Sequence, residues 1–430
     1  MRVVFSDIAD YSRKLIPFVF IAIAFLIPIY QQGAIIGLVV LSGIWLLSGN
    51  WLNLVGAFKS NLLLFSLIAY WLLHVVSLFY SDNVSVGLSD IQQKLSFIAF
   101  PLIAISSAKQ IVPRFRTVIT AFLLGLGLMT VFSLIQASFL SLHFFKETVV
   151  FNPHPLVTPW ENFFLYSKFA LPFHPTYYSM HLLLGITFLF GLIKENKGKI
   201  RLIILYCLSI VYFIGITLLL SSKAGIITLI VIISLGCFWL FLKKVGTVFR
   251  LVFLGGIMLF VFQIMIHNSR FALLLSGLGV DIEQTSEYGS EELQHLESGV
   301  MVRLRIWKSI PDIVGDRWIA GVGVGDAKQE LLRGYSELKQ LDALKSEYNA
   351  HNQYLETFVS LGVIGLVLLA FVLGKAMYVS FSQRDIVALM FIVIICLNML
   401  FESIFERIAG VLFFGYFLSL FFVNRSGQVE

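Results

Sequence analysis

One histidine stands where an apolar run begins and could move a proton. His351 begins the stretch HNQYLETFVSLGVIGLVLL, at the predicted outer end of a long apolar helix. An imidazole exchanges a proton near neutral pH, and a helix end within reach of water holds it in place. It is therefore a candidate general base. The alternative is an interfacial histidine whose polar edge simply faces water.

Three basic residues could hold an anion. Lys223 lies in LLLSSKAGIITLI, between two apolar runs with almost no loop, so its charge adds to the positive end of a helix dipole. Arg303 and Arg305 lie in RLRIW, where Arg305 projects to a different helix face from Arg303. These types and positions favour phosphate binding. The alternatives are a lysine that reaches the membrane interface and solvated charges on an amphipathic helix.

Other polar residues are weaker candidates. His174 and Tyr177 open an apolar run and could line a site or only support it. Glu356 lies about 140° around the helix from His351, so it need not face the same way. For Glu402, Glu406 and Arg407, which lie between the last two runs, we expect an ion pair holding those helices. The segment GVGVGD has no following Gly-Lys-Ser/Thr and is rejected as a phosphate loop.

The composition indicates that these residues are positioned by helices in lipid. Of 430 residues, 58% are hydrophobic and 13% are charged, and the mean hydropathy is +0.89. These values exclude an ordinary soluble enzyme. The net charge of +6 comes from short basic clusters between apolar runs, which is typical of topology signals rather than nucleic-acid binding. No set of Cys, His, Asp and Glu residues has metal-ligand spacing.

The apolar runs predict an all-α polytopic membrane protein with about twelve transmembrane helices. The segment before the first run lacks a small-residue cleavage site, so we expect a retained first helix. The fourth run contains Pro101 and is expected to be kinked or partly re-entrant. The predicted spans are 15–30, 34–49, 61–80, 95–107, 117–140, 176–193, 202–220, 225–242, 251–266, 353–373, 385–401 and 408–423.

The basic residues also predict the orientation. With the N-terminus in the cytoplasm, seventeen Lys and Arg residues fall in the inner segments. Only five fall in the short outer segments: Lys94, Lys146, Lys168, Lys223 and Arg407. This asymmetry favours two cytoplasmic termini.

Three regions follow from this topology. Residues 1–266 hold spans one to nine, with a smaller periplasmic segment at 141–175, and residues 353–430 hold spans ten to twelve. Residues 267–352 form a large periplasmic loop with amphipathic helices. Within that loop the spacing of Arg303, Ile306, Trp307 and Ile310 predicts a helix lying on the outer membrane surface.

Three motifs resemble those of the lipopolysaccharide O-antigen ligases, members of the O-antigen ligase and polymerase superfamily. His351-Asn352, nine residues and then Gly362-x-x-Gly365 match the pattern H-[NSQ]-x9-G-x-x-G. The two glycines are expected on one helix face, packed against a neighbouring helix. Arg303 to Trp307 resembles the element R-x-x-x-W ahead of a glycine-rich turn. Lys223 replaces the arginine of the element Ser-x-Arg-Gly, which keeps the charge and loses the bidentate geometry.

The resemblance implies a GT-C-type, inverting, metal-independent glycosyltransferase of the bacterial inner membrane, with a periplasmic active site and no cofactor. Its donor is a glycan on undecaprenyl diphosphate and its acceptor is a sugar hydroxyl of lipid A–core or another glycan, in contact with membrane lipids and not with nucleic acid. His351 is then the base, and Lys223, Arg303 and Arg305 bind the diphosphate. His174, Tyr177 and Asn352 are candidates for lining the site.

Three other functions are compatible with the sequence. An O-antigen or exopolysaccharide polymerase uses the same donor with a lipid-linked glycan as acceptor, and a protein O-oligosaccharyltransferase uses a Ser or Thr side chain. A transporter or flippase is less favoured, because the informative charges cluster at the outer face and no internal repeat is found.

Overall fold

The computed structural model describes residues 2–54, 61–144, 148–156, 158, 161–240, 255–256 and 290–423. Within these ranges the chain is almost entirely helical. The helices are α1 (Arg2–Leu26), α2 (Gln31–Ser48), α3 (Leu62–Ser77), α4 (Val84–Gln93), α5 (Ser96–Ser106), α6 (Ala108–Ile111), α7 (Phe115–Leu140), α8 (Tyr166–Ala170), α9 (Pro175–Glu195), α10 (Ile200–Leu219), α11 (Lys223–Leu240), α12 (Ser290–Val314), α13 (Ala327–Glu337), α14 (Leu341–Lys345), α15 (Gln353–Ser382), α16 (Ile386–Met399) and α17 (Ile408–Val423). An antiparallel pair, β1 (Leu142–Phe144) and β2 (Val149–Phe151), places Leu142 opposite Phe151.

The helices match the predicted apolar runs. Eleven of the twelve runs coincide with helices, whereas nearly all of the ninth, 251–266, and the start of the predicted long loop, 267–289, lie outside the described residues. Among the described helices, seven are long and apolar enough to cross a membrane, and α16 and α17 are shorter apolar helices. α5 has 11 residues with Pro101 inside, so at 1.5 Å per residue it covers only about half of the hydrocarbon. The prediction of an all-α membrane protein is confirmed, and the count of twelve spans stays a prediction.

The burial of the helices distinguishes an interior from a lipid-facing surface. α9 and α17 are apolar and buried on nearly all sides, as central helices of a bundle are. By contrast, α2 and α10 expose large apolar side chains, such as Val39 at 68% and Val211 at 66%. A surface of that kind is stable in lipid.

A second, smaller apolar cluster lies beside the bundle. The face of α12 that carries Val302, Ile306 and Ile310 is buried against Leu331 and Tyr335 of α13. The expectation that this face lies on the membrane surface is therefore wrong, because its apolar partner is protein rather than lipid.

α15 is broken at Gly362. This residue has φ 62° and ψ −160°, which is not helical, and the break frees two carbonyl groups of the preceding turn. The amides of Val322 and Gly323 donate to them, at 2.8 Å to Val359 O and 3.0 Å to Ser360 O. Val322 and Gly323 of the GVGVGD segment thus hydrogen-bond to α15 at its break.

The expectation that Gly362 and Gly365 lie on one face of a continuous helix is wrong for the same reason. Gly365 is helical and buried, but Gly362 is the break itself. A Cβ at Gly362 would lie 2.3 Å from the carbonyl oxygen of Ile319, so the pairing segment passes directly over it. Glycine is required here for both backbone conformation and space.

We expect Gly362→Ala to destabilise the protein. The backbone conformation alone costs of order 1–3 kcal/mol for a non-glycine residue, and the contact with Ile319 adds to that. The measurement is the thermal unfolding midpoint in detergent, with Gly374→Ala of the same helix as the control, since a Cβ there meets no atom within 4 Å. Equal midpoints for Gly362→Ala and wild type would contradict the assignment.

Candidate active site

A cavity of about 530 Å³ brings together most of the predicted site residues. Lys223, Arg303, His351 and His174 all line it, although they come from four separate parts of the chain. We call it the basic cavity. Its remaining walls come from 346–349, 221–222, Tyr166, Thr176, Ala224, Phe401, Glu402 and Arg407.

Four helices begin at the basic cavity. His174 is the N-cap of α9, and Lys223 is the first residue of α11. His351 immediately precedes Asn352, the N-cap of α15, and Arg407 immediately precedes α17. Each helix start carries a partial positive charge of up to about half an elementary charge. The backbone therefore makes this end of the bundle favourable for an anion before any side chain is counted.

Basic side chains add full charges to that field. Lys223, Arg303 and Arg407 line the cavity, and of these Arg303 and Arg407 form no ion pair with any residue that the structure describes. Arg305 does not line it; the Arg305 guanidinium lies 3.6 Å from Asp342 Oδ2 in an exposed pair. Grouping Arg305 with the anion-binding residues is therefore wrong, because two residues along a helix turn the side chain by about 200°.

His351 lies just before α15 rather than within it. Its φ is +46°, and its amide donates to Asn349 Oδ1 at 3.0 Å. The imidazole packs edge-on against the ring of Tyr348, and His351 Nδ1 lies 3.4 Å from Glu402 Oε1. A carboxylate at Nδ1 favours the tautomer in which Nε2 is free to accept a proton.

The contact of Glu402 with His351 was not predicted from the sequence. Burial by itself would raise the pKa of Glu402, but the neighbouring imidazole of His351, with the charges of His174 and Arg303, brings that pKa below its usual value. The expected ion pair with Arg407 is absent among the described residues, and Glu406 instead lies 3.2 Å from Lys94 Nζ. The available signal was position: Glu402 and Arg407 fall in a predicted outer segment, at the same end as His351.

Buried hydrogen bonds fix the two segments that carry the His351–Glu402 pair. Glu356 Oε2 accepts from the amide of Ala350 at 2.8 Å and from Ser403 Oγ at 3.2 Å, so one carboxylate joins them. Trp307 Nε1 donates to Ala350 O at 2.9 Å. This hydrogen bond joins α12, the helix that carries Arg303, to the residue before His351. Trp307 of the R-x-x-x-W element therefore helps to position His351.

The other predicted lining residues have separate roles. His174 lines the cavity, and burial lowers its pKa, which favours the neutral imidazole at pH 7. Asn352 does not line the cavity; its Oδ1 caps α15 by accepting from Tyr354 N and Leu355 N. Tyr177 lines a neighbouring cavity instead.

The Glu402 carboxylate should make stability depend on acid pH. The pKa of Glu402 is lower in the folded protein than in the unfolded chain, where it is about 4.3, so its ionised carboxylate stabilises the fold. This stabilisation is complete above the pKa of the unfolded chain. It is lost as the pH falls through the pKa of the folded protein. We expect Glu402→Gln to lower the unfolding midpoint at pH 7 and to lower it less near pH 3. The measurement is thermal unfolding in detergent from pH 7 down to about pH 3, well below the unfolded pKa, and a pH-independent difference would contradict this origin of the shift.

No group of three or more His, Cys, Asp or Glu residues within the described ranges is arranged to hold a metal ion.

The comparison with protein families gives a match. Residues 207–370 match the family model described as O-antigen ligase, a range that includes Lys223, Arg303, His351 and Gly362. No curated protein matches the chain.

Proposed function

We propose that this chain, whose residues 207–370 belong to the O-antigen ligase superfamily, transfers a glycan from undecaprenyl diphosphate to a sugar hydroxyl of lipid A–core. The observation that carries the proposal is the basic cavity, where three cations and four helix starts adjoin the His351–Glu402 pair. Such a cavity can hold a diphosphate beside a base.

On the donor side, the basic cavity binds the diphosphate. Charge develops on the oxygen that joined the diphosphate to the anomeric carbon as that carbon–oxygen bond breaks, and preorganised donors stabilise that charge. Arg303 and Arg407 are suited to bidentate contact with phosphate oxygens, whereas Lys223 acts as a point charge at the start of α11. The leaving group then needs no proton.

On the acceptor side, His351 takes the proton. The acceptor oxygen forms a bond to the anomeric carbon while the bond from that carbon to the diphosphate oxygen breaks. The hydroxyl proton moves to His351 Nε2, and Glu402 stabilises the resulting imidazolium. A single displacement of this kind inverts the anomeric centre.

The basic cavity opens on the periplasmic side in this proposal. α9 begins at the cavity and extends about 30 Å, so Lys194 and Lys197 lie at the opposite end. Lys199 and Arg201, at the start of α10, lie there too. A basic cluster at that end favours placing it in the cytoplasm.

The test is transfer by the purified protein in detergent. Undecaprenyl-diphosphate glycan is supplied with lipid A–core, with no second acceptor, or with a Ser-containing acceptor peptide, and products are identified by gel mobility and mass spectrometry. Glycan on lipid A–core, with inverted anomeric configuration by NMR, supports the proposal. A lengthened ladder on undecaprenyl diphosphate indicates a polymerase, and glycan on the peptide indicates a protein O-oligosaccharyltransferase. Absence of any transferred product contradicts transferase function.

A further inference from the structure

A second cavity of about 640 Å³ adjoins the basic cavity. Its charged lining is mainly carboxylate: Asp90, Glu347, Glu356 and Glu406, with Lys328 and Arg407 as the cations. We call it the carboxylate cavity. The two cavities share His174, Glu347, Asn349 and Arg407, so ligands bound in each would meet at these residues.

The carboxylate cavity contains an unsatisfied hydroxyl group. Tyr177 is 2% exposed and lines the cavity, and its phenol has no hydrogen-bond partner among the described residues. Asp90 Oδ2 is likewise buried without a partner in that part of the chain, because the ion pair with Lys94 uses Oδ1. Buried polar groups of this kind are normally paired, so both groups have hydrogen-bonding capacity left for the hydroxyls of a ligand.

The position of Asp90 is structurally fixed. α4, which carries it, is held at its start by Asp326, whose carboxylate accepts from Asp82 N at 2.8 Å and from Asn83 N at 2.9 Å. Lys94 is buried and contacts both Asp90 and Glu406. The carboxylates are therefore presented on a rigid wall rather than on a free loop.

The chemistry of this wall fits a neutral sugar and not a phosphate. Carboxylate and amide oxygens, the latter from Gln31, Gln93 and Asn349, accept hydrogen bonds from sugar hydroxyls. A sugar hydroxyl can also accept from the phenol of Tyr177. A diphosphate or a uronic acid is attracted by the three cations of the basic cavity and would bind there instead.

We infer that the carboxylate cavity binds the neutral, hydroxyl-rich end of the acceptor glycan, with Tyr177 and Asp90 hydrogen-bonded to its hydroxyls. This inference rests on the proposed function. The donor is held by its charge in the basic cavity, the acceptor by its hydroxyls in the carboxylate cavity, and the reacting atoms meet at the shared residues. The acceptor sugar at this site is accordingly uncharged.

The test measures binding separately from transfer. Maltotetraose is the neutral probe and tetragalacturonate the acidic one, each titrated by saturation-transfer difference NMR against the protein in detergent. Tyr177→Phe removes only the unpaired hydroxyl. The matched control is Tyr178→Phe, whose hydroxyl lies 3.3 Å from Ser133 Oγ and which lines neither cavity.

We expect Tyr177→Phe to weaken maltotetraose binding about threefold to tenfold, the effect of one hydrogen bond, while Tyr178→Phe binds as wild type does. Tetragalacturonate, which the cations of the basic cavity attract, should bind Tyr177→Phe as it binds wild type. In the transfer assay Tyr177→Phe should raise the KM for the acceptor and leave the KM for the donor unchanged.

Three results would overturn the inference: no maltotetraose binding to wild type, equal maltotetraose binding by Tyr177→Phe, or an equal loss of maltotetraose and tetragalacturonate binding in Tyr177→Phe. If transfer occurs but Tyr177→Phe binds like wild type, only the acceptor site is wrong. If maltotetraose binding depends on Tyr177 but no donor is consumed, the sugar site stands and the transferase proposal fails.

Discussion

His351→Ala is expected to lower the kcat for glycan transfer by about 10²- to 10⁴-fold, the range for loss of a general base. The variant loses the only proton acceptor that the proposed mechanism places beside the acceptor hydroxyl. Glu402 remains, but without an imidazole it has no route to that hydroxyl in the proposal. Donor binding depends on the basic side chains and helix starts, so the KM for the donor should change little.

The measurement is transfer with saturating donor and acceptor, with folding checked by thermal unfolding. His143→Ala is the matched control, since His143 lies in β1, contacts Asn152 O and lines neither cavity. Wild-type turnover in His351→Ala would show that His351 is not the base. A similar loss in His143→Ala would show that the effect is structural.

The helices were predictable because their signal is local. Long apolar runs identify α7, α9, α10 and α11 closely, and the composition alone requires lipid around them. The break at Gly362 was not predictable, because Gly-x-x-Gly in an apolar run also fits close helix packing. What decides between the two is the pairing of Val322 and Gly323 with α15, some 37 residues away in the chain.

For the amphipathic helix α12, too, the local sequence was compatible with two environments. Its periodic apolar face was visible in the sequence, and the structure confirms a helix there. Periodicity cannot distinguish a lipid surface from a protein surface, since both are apolar. Only the contacts with Leu331 and Tyr335 assign it to protein.

The candidate site was also predictable from the sequence only in part. Lys223, Arg303 and His351 line one cavity, since Lys223 and His351 stand at helix starts and Arg303 lines the same end, and the roles that their motifs imply stay predictions. Glu402 was missed as the partner of His351 because they are 51 residues apart and belong to different helix connections. Nothing local to either residue specifies that contact.

Arg303→Ala is expected to lower kcat by about 10²- to 10³-fold, the loss produced by removing one preorganised donor to a developing oxyanion. Arg305→Ala is the matched control on the same helix, because its guanidinium pairs with Asp342 outside the basic cavity. Turnover of Arg305→Ala should stay close to wild type, since an exposed pair contributes little. Arg303→Lys should recover part of the rate, because it restores the charge without the bidentate geometry.

The comparison of these three variants separates charge from position. A general electrostatic effect of α12 would make Arg303→Ala and Arg305→Ala equally slow, since both remove one positive charge from the same helix. Equal losses would therefore contradict the assignment of Arg303 to the leaving diphosphate. A large loss at Arg303 alone, partly restored by lysine, requires a cation at the position of Arg303, which lines the cavity where α9, α11, α15 and α17 begin.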